Sequence, residues 1–278
     1  MRPKTPGMGI LFTLFSSLAF FLPHGDLHLR IEAISRSIEQ YPDSLELYRS
    51  RGELYLQHEQ PALAHQDFTT CLTRGLQDSR VLEGMSKSMI PASALDSSLY
   101  YIDLALDKDS TNLSAMEWKA RILFRFQRFC ESGQLYETIL TNATSPSPSL
   151  FIDASNSWMQ CSHRGGYQHA ISILKSGIDR IGPLHVLQKE LVHHYLQHRD
   201  FKNALTMQTA LIDHAVNKTI PLYERASIYQ VAGQDQEALV DILNALLLFD
   251  QLPQSKKDLP GMMHLKQKME TLLIQLRN

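Results

Sequence analysis

Between residues 45 and 72 the chain reads LELYRSRGELYLQHEQPALAHQDFTTCL, with apolar and small residues recurring at three- and four-residue steps. Tyr48, Gly52 and Tyr55 fall on one face of a first helix, and Ala64, Phe68 and Cys71 on one face of a second. Gly52 and Ala64 are small enough for the two backbones to approach, and the aromatic rings fill the space around that contact. The pattern returns along the chain. Small residues opening the second helix of each pair stand at Ala64, Ser98, Ser132, Ala170, Ala204 and Ala238, at intervals of 34, 34, 38, 34 and 34 residues. Six helix pairs are predicted, near 45–78, 79–112, 113–146, 147–184, 185–218 and 219–252. The four extra residues of the fourth pair are placed in its inter-helix turn, where Gly165-Gly166 tolerates a longer loop. Pro91 predicts an early end to the first helix of the second pair. The fifth pair is the weakest, because Gln188 and Gln208 occupy slots that are apolar elsewhere.

Two further amphipathic segments flank the array. Leu27, Ile31, Ile34 and Ile38 predict a helix within 26–43, stopped by Tyr41-Pro42-Asp43. Met262, Leu265, Met269, Leu272, Leu273 and Leu276 predict a last helix within 253–278. Both read as caps, which a stack of repeats needs at its ends.

The spacing resembles the tetratricopeptide repeat, a 34-residue unit with large apolar residues at positions 4, 11 and 24 and small ones at 8, 20 and 27. Counted from Leu45, the first unit places Tyr48, Gly52, Tyr55, Ala64, Phe68 and Cys71 on those positions. The closing proline of the repeat is missing from all six units. The resemblance implies an all-α fold, an α-solenoid of about six degenerate helix pairs with capping helices at both ends. It also implies that positions 2, 5, 9, 12 and 13 of each first helix line a concave face that holds a protein or peptide partner. On this numbering the candidates are Arg49, Glu53, Glu83, Lys87, Glu117, Arg121, Phe124, Arg125, Phe151, Trp158, Lys189, His193 and Tyr223. Aromatics flanked by arginine, as around Phe124, are what peptide anchors look like. For Phe151 and Trp158 the alternative is packing against the inserted turn. The Lys and Asn pattern with which some such domains clamp a C-terminal carboxylate is not matched, since Arg49 and Glu53 stand at two of its positions.

Charge narrows the field of partners. Lys plus Arg number 27 against 29 for Asp plus Glu, a balance that gives no field favouring nucleic acid or an anionic membrane. At the N-terminus, Arg2 and Lys4 precede an uncharged apolar run over 10–22, broken by Pro23, His24 and Gly25. This layout predicts a secretory signal peptide over 1–25, and the apolar run is short for a permanent span. The expectation is an exported protein, periplasmic or extracellular and bacterial, with no integral span once the leader is removed. Cys71 sits at a core position. Cys130 and Cys161 fall near the turn ends of helices in adjacent pairs, and the Cα separation that decides a disulfide is not in the sequence.

The repeats and caps leave no segment for a separate catalytic domain. No G-x-S-x-G and no glycine-rich phosphate loop occurs. His194 and His198 are four apart in VHHYLQHRD and are the best metal candidate, but no third ligand is specified. The expected function is therefore a non-catalytic interaction scaffold without cofactor. The alternatives are an accessory subunit of an exported enzyme or envelope assembly and, further off, a metal-binding protein using His194 and His198.

Overall fold

The computed structural model describes residues 23–89, 94–162 and 165–277. Every regular element among them is a helix. The expected leader over 1–25 lies outside the described residues except for its last three, which open the first helix. Among the described residues no helix is long and apolar enough to cross a membrane.

Two compact units divide the chain between Lys108 and Asp109. The first holds α1 (Pro23–Gln40), α2 (Leu45–Gln57), α3 (Pro61–Thr73), α4 (Ser79–Ser88) and α5 (Leu95–Lys108). The second holds four pairs: α6 (Leu113–Arg125) with α7 (Phe129–Asn142), α8 (Pro148–Gln160) with α9 (Gly166–Ile181), α10 (His185–Gln197) with α11 (Phe201–His214), and α12 (Thr219–Val231) with α13 (Asp235–Asp250). The short α14 (Gln254–Lys257) and the terminal α15 (Pro260–Arg277) follow. The fold class is all-α, an α-solenoid of consecutive helix pairs.

Local chemistry fixes the helix ends. Asp78, Asn112 and Asp200 accept hydrogen bonds from backbone N–H groups in the first turns of α4, α6 and α11, satisfying donors that a helix start leaves free. Pro61 and Pro148 occupy first-turn positions where a missing N–H costs nothing. Within four pairs the turn between helices is built identically. Glu59, Gln127, Arg199 and Gly233, all fifteenth in their units, take positive φ. The next residue's N–H then closes onto the carbonyl four before the turn: Gln60 to Tyr55, Arg128 to Leu123, Asp200 to Tyr195 and Gln234 to Tyr229, at 2.8–2.9 Å.

Packing within each pair follows from the small residues. A Cβ on Gly52 would lie 2.9 Å from the Phe68 ring. Ser86 and Ser98 hydrogen-bond across α4 and α5, and the Ser132 hydroxyl donates to the Ala120 carbonyl at 2.8 Å. Phe68, Tyr136, Phe151 and Phe249 are wholly buried beside these contacts. Gln208, odd for its slot, is also buried. Its amide nitrogen donates to the Pro221 carbonyl and to Glu224, both at 3.0 Å, so a polar residue is held in a core position by hydrogen bonds to the next helix.

The fourth pair departs from the expected register. Its first helix begins at Pro148, one residue later than a 34-residue step from Leu113. Counted from Pro148, the large, small and large slots are Phe151, Ser155 and Trp158. These are core residues rather than surface ones, at 1%, 0% and 6% exposure. Phe151 lies against Gly177 and Trp158 against Gly133, where an added Cβ would come within 2.9 and 2.8 Å of the rings. The extension of the inter-helix turn follows at 161–165. Cys161, just past α8, is bonded to Cys130 in the first turn of α7, with Cα atoms 4.9 Å apart. Cys71 remains a buried free thiol, its pKa pushed up to about 11 by burial.

Candidate partner-binding grooves

Three grooves lie along first helices of the pairs; another, of about 540 Å³, lies along the second helices α9 and α11 and is lined by Tyr167, Lys175, Asp179 and Asn203. In the first unit, α2 and α4 line a groove of about 260 Å³ that contains Glu53, Glu83 and Lys87 with Arg80 and Leu56. Its charges are matched internally: Arg80 to Glu53 at 2.8 Å and Lys87 to Glu83 at 2.5 Å. Arg49 is not in this groove. It pairs with Glu46 and with Asp78 at 2.6 Å, tying α2 to the residue that caps α4.

In the second unit, α6, α7 and α8 enclose a groove of about 520 Å³. It brings together Arg121, Phe124 and Arg125 from α6, Tyr136 from α7, and Asp153, Asn156 and Gln160 from α8. Arg121 donates to Glu117 at 2.8 Å and reaches Asp153 at 3.7 Å. Burial alone would lower the pKa of Arg121, but Glu117, Tyr136 and Asp153 outweigh it and the net shift is upward. Burial raises the Asp153 pKa; Arg121 opposes the shift and Glu117 adds to it. Phe124 forms one wall and packs edge-on against Phe129, ring centroids 5.0 Å apart.

A further groove of about 420 Å³ runs between α10 and α12. It contains the expected Lys189, His193 and Tyr223. Its walls are mainly apolar, from Val192, Leu196, Phe201, Ile228 and Val231. Here too the charges are spent: Lys189 pairs with Glu224, whose other oxygen accepts from Gln208. A ligand in this groove meets apolar wall rather than free charge.

Of the expected contact residues, Phe151 and Trp158 are therefore withdrawn from the surface, and their places on α8 pass to Asp153, Asn156 and Gln160. The same positional rule counted from Pro148 selects Asn156 and Gln160 directly. Applied through the whole of α12, it also selects Ser227 and Val231, which line the groove between α10 and α12. Phe201 and Tyr136, from second helices, lie outside any rule confined to first helices.

The two histidines proposed for metal are held in different surroundings. His194 is buried at 1% exposure, with Nε2 3.2 Å from the Ser155 hydroxyl. Burial, with His193 adding to it, lowers its pKa to about 4. His198 stacks on Tyr167 at 3.8 Å. Among the described residues no group of three or more His, Cys, Asp or Glu side chains is placed to hold a metal ion.

No protein-family model matches the chain, and no curated protein matches it either. Solved structures do. The C-terminal part of a TPR repeat-containing protein from Cytophaga hutchinsonii superposes with a TM-score of 0.65 at 17% identity, covering 85% of this chain and 95% of that one. A tetratricopeptide repeat protein from Parabacteroides merdae gives 0.55 at 15%, covering 93% and 95%. A chain of the APC/C hetero-tetramer Cut9-Hcn1 gives 0.53 at 12%, covering 88% of this chain and 46% of that longer one. The fold is thus that of tetratricopeptide-repeat proteins.

Proposed function

We propose that this protein is an exported, non-catalytic interaction module that captures a segment of a protein partner along the first-helix face of its second unit. The observation that carries the reading is the pair of open grooves on that face, one lined by Arg121, Phe124 and Asn156 and one by Val192, Leu196 and Val231. Their charged side chains are already paired, so they suit anchoring of apolar and hydrogen-bonding groups. One sequence-distant solved structure of this fold supplies a precedent only in form: Cut9-Hcn1, by its name, is a hetero-assembly. Export is supported by the tripartite N-terminus and by the Cys130–Cys161 pairing, since disulfides persist mainly in oxidising compartments.

Affinity purification of the tagged protein from its native cells, beside an Arg121→Glu, Phe124→Ala variant, tests the module reading. A partner lost with the variant supports it. A partner retained moves the contact off this face. A complex that survives high salt and both substitutions favours the accessory-subunit reading. Fractionation with N-terminal sequencing tests export separately: the account expects a mature chain beginning near residue 26 outside the cytoplasm.

A further inference from the structure

Beyond the last pair, a groove of about 360 Å³ lies between α12 and the terminal α15. Tyr223 and Ser227 line it and also line the α10–α12 groove, so the two are continuous across α12. Their chemistry differs. The α10–α12 groove is mainly apolar and its charges are paired. The α12–α15 groove is lined mainly by hydroxyl, amide and basic side chains, and no carboxylate is among them. The basic groups come from α15. His264, Lys268, Thr271 and Gln275 follow one another at helical spacing and share the face turned to α12. His264 and Lys268 are exposed and make no ion pair or side-chain hydrogen bond with the described residues. The acids nearby are engaged elsewhere. Glu224 on α12 pairs with Lys189 and accepts from Gln208, Glu270 on α15 pairs with Lys266 at 3.8 Å, and Asp258 before α15 accepts from Gln254 at 2.7 Å. Gln230 donates to Gln275 across the groove at 3.1 Å, a neutral contact that leaves the cation unmatched.

We propose that this groove receives acidic side chains of the captured segment, beside the apolar residues held between α10 and α12. The inference rests on the capture reading above and adds the partner's chemistry: a segment in which apolar residues directly adjoin Asp or Glu. Lys268 supplies the charge and His264 an imidazole N–H, while the Tyr223 hydroxyl and the Gln267 amide line the same space as further donors. A carboxylate placed there gains charge-assisted hydrogen bonds. A basic side chain meets Lys268 and finds no carboxylate to offset it. The terminal helix, expected only to cover the end of the stack, thereby becomes one wall of the binding face.

Fluorescence anisotropy with synthetic peptides tests this on the purified protein. In each peptide a block of leucines adjoins glutamates or glutamines, placed before or after the block, and both ends are capped. In one of the two orders the glutamate peptide should bind about fivefold tighter than its glutamine counterpart, the worth of a pair of exposed ion contacts, and the advantage should shrink as salt is raised. Lys268→Glu with His264→Gln should erase that advantage while leaving the glutamine peptide's affinity and the melting temperature unchanged. Val231→Ser should weaken both peptides alike. Equal affinities of the two peptides for the wild type overturn the inference and leave the capture reading standing. An advantage that survives the double substitution also overturns it. So does a glutamine peptide with a free C-terminus that binds as tightly as the capped glutamate peptide, which would assign the groove to a chain end. Binding of no peptide overturns it as well, and the capture reading is then decided by the native-cell purification alone.

Discussion

The turn inside the α8–α9 pair and the turns inside the pairs α2–α3, α6–α7, α10–α11 and α12–α13 do the same task by different chemistry. The four regular turns are short and self-closing: one residue at positive φ, then a backbone hydrogen bond back to the preceding helix. They need nothing from outside. The α8–α9 turn is longer, and among the described residues no N–H of that turn beyond Cys161 is bonded back to α8. Its end is held instead by a covalent link to α7 and by Trp158, which packs under Gly133 and stacks on His169 at 4.4 Å. Regular spacing thus carries its own restraint, and an insertion into it is compensated by contacts reaching into the neighbouring pair.

The largest expected effect comes from removing that compensation. Replacing both Cys130 and Cys161 by Ser should cost about 3–4 kcal/mol on the loop-entropy estimate for this separation, read by urea unfolding. A loss below about 1 kcal/mol would show that side-chain packing alone holds the inserted turn.

The regular pairs have a different weak point. At identical repeat positions, Arg51 grips Asp67 with two hydrogen bonds of 2.7 and 2.8 Å, and Arg225 grips Asp241 with two of the same lengths. Each arginine also reaches a hydroxyl in the preceding helix, Ser35 or Thr209. Asp67→Ala or Asp241→Ala strands a largely buried guanidinium and should cost about 2–3 kcal/mol. Equal losses at the two sites would show that the device acts alike in both units.

A pH effect is expected at the base of α10. His194 has a folded pKa near 4, below its unfolded value, because burial disfavours its charged form. The unfolded chain therefore binds the proton more readily, so this contribution is full above about pH 6.5 and is lost as pH falls toward 4. His194→Gln should flatten the stability profile across that window, and an unchanged slope would contradict the assignment.

A smaller gain is expected in the regular turns. Glu59, Gln127 and Arg199 hold a backbone conformation that favours glycine, as Gly233 shows at the matching position. Glycine at any of the three should stabilise by about 0.5–1 kcal/mol. The same change in the α8–α9 turn, at Ser162, should bring no such gain.

Much of this was legible in the sequence. The helix pairs follow from small residues every 34 positions, because close backbone approach admits only small side chains there, and that signal is independent of the degenerate surface. The disulfide was not decided, since its condition is a distance across two pairs. The α8 face was misassigned because the four extra residues of the 38-residue interval divide into one before α8, two in the turn and one at the start of α9. A count of small residues on second helices cannot see that division. Pro148 after Ser147, a helix-start signal, marks it. Apolar wall from second helices, such as Phe201, was missed because the positional rule concerned first helices alone.

The most direct test of the functional account is site-specific photocrosslinking in native cells, with the probe placed in turn at Asn156 and Val231 in the grooves and at Thr138 on the outer face of α7. The account predicts one common partner captured from both groove positions and none from Thr138, with capture abolished by Arg121→Glu, Phe124→Ala in a protein that melts within about 1 kcal/mol of the wild type. Capture from Thr138 alone, or from the grooves in spite of the double substitution, would contradict it.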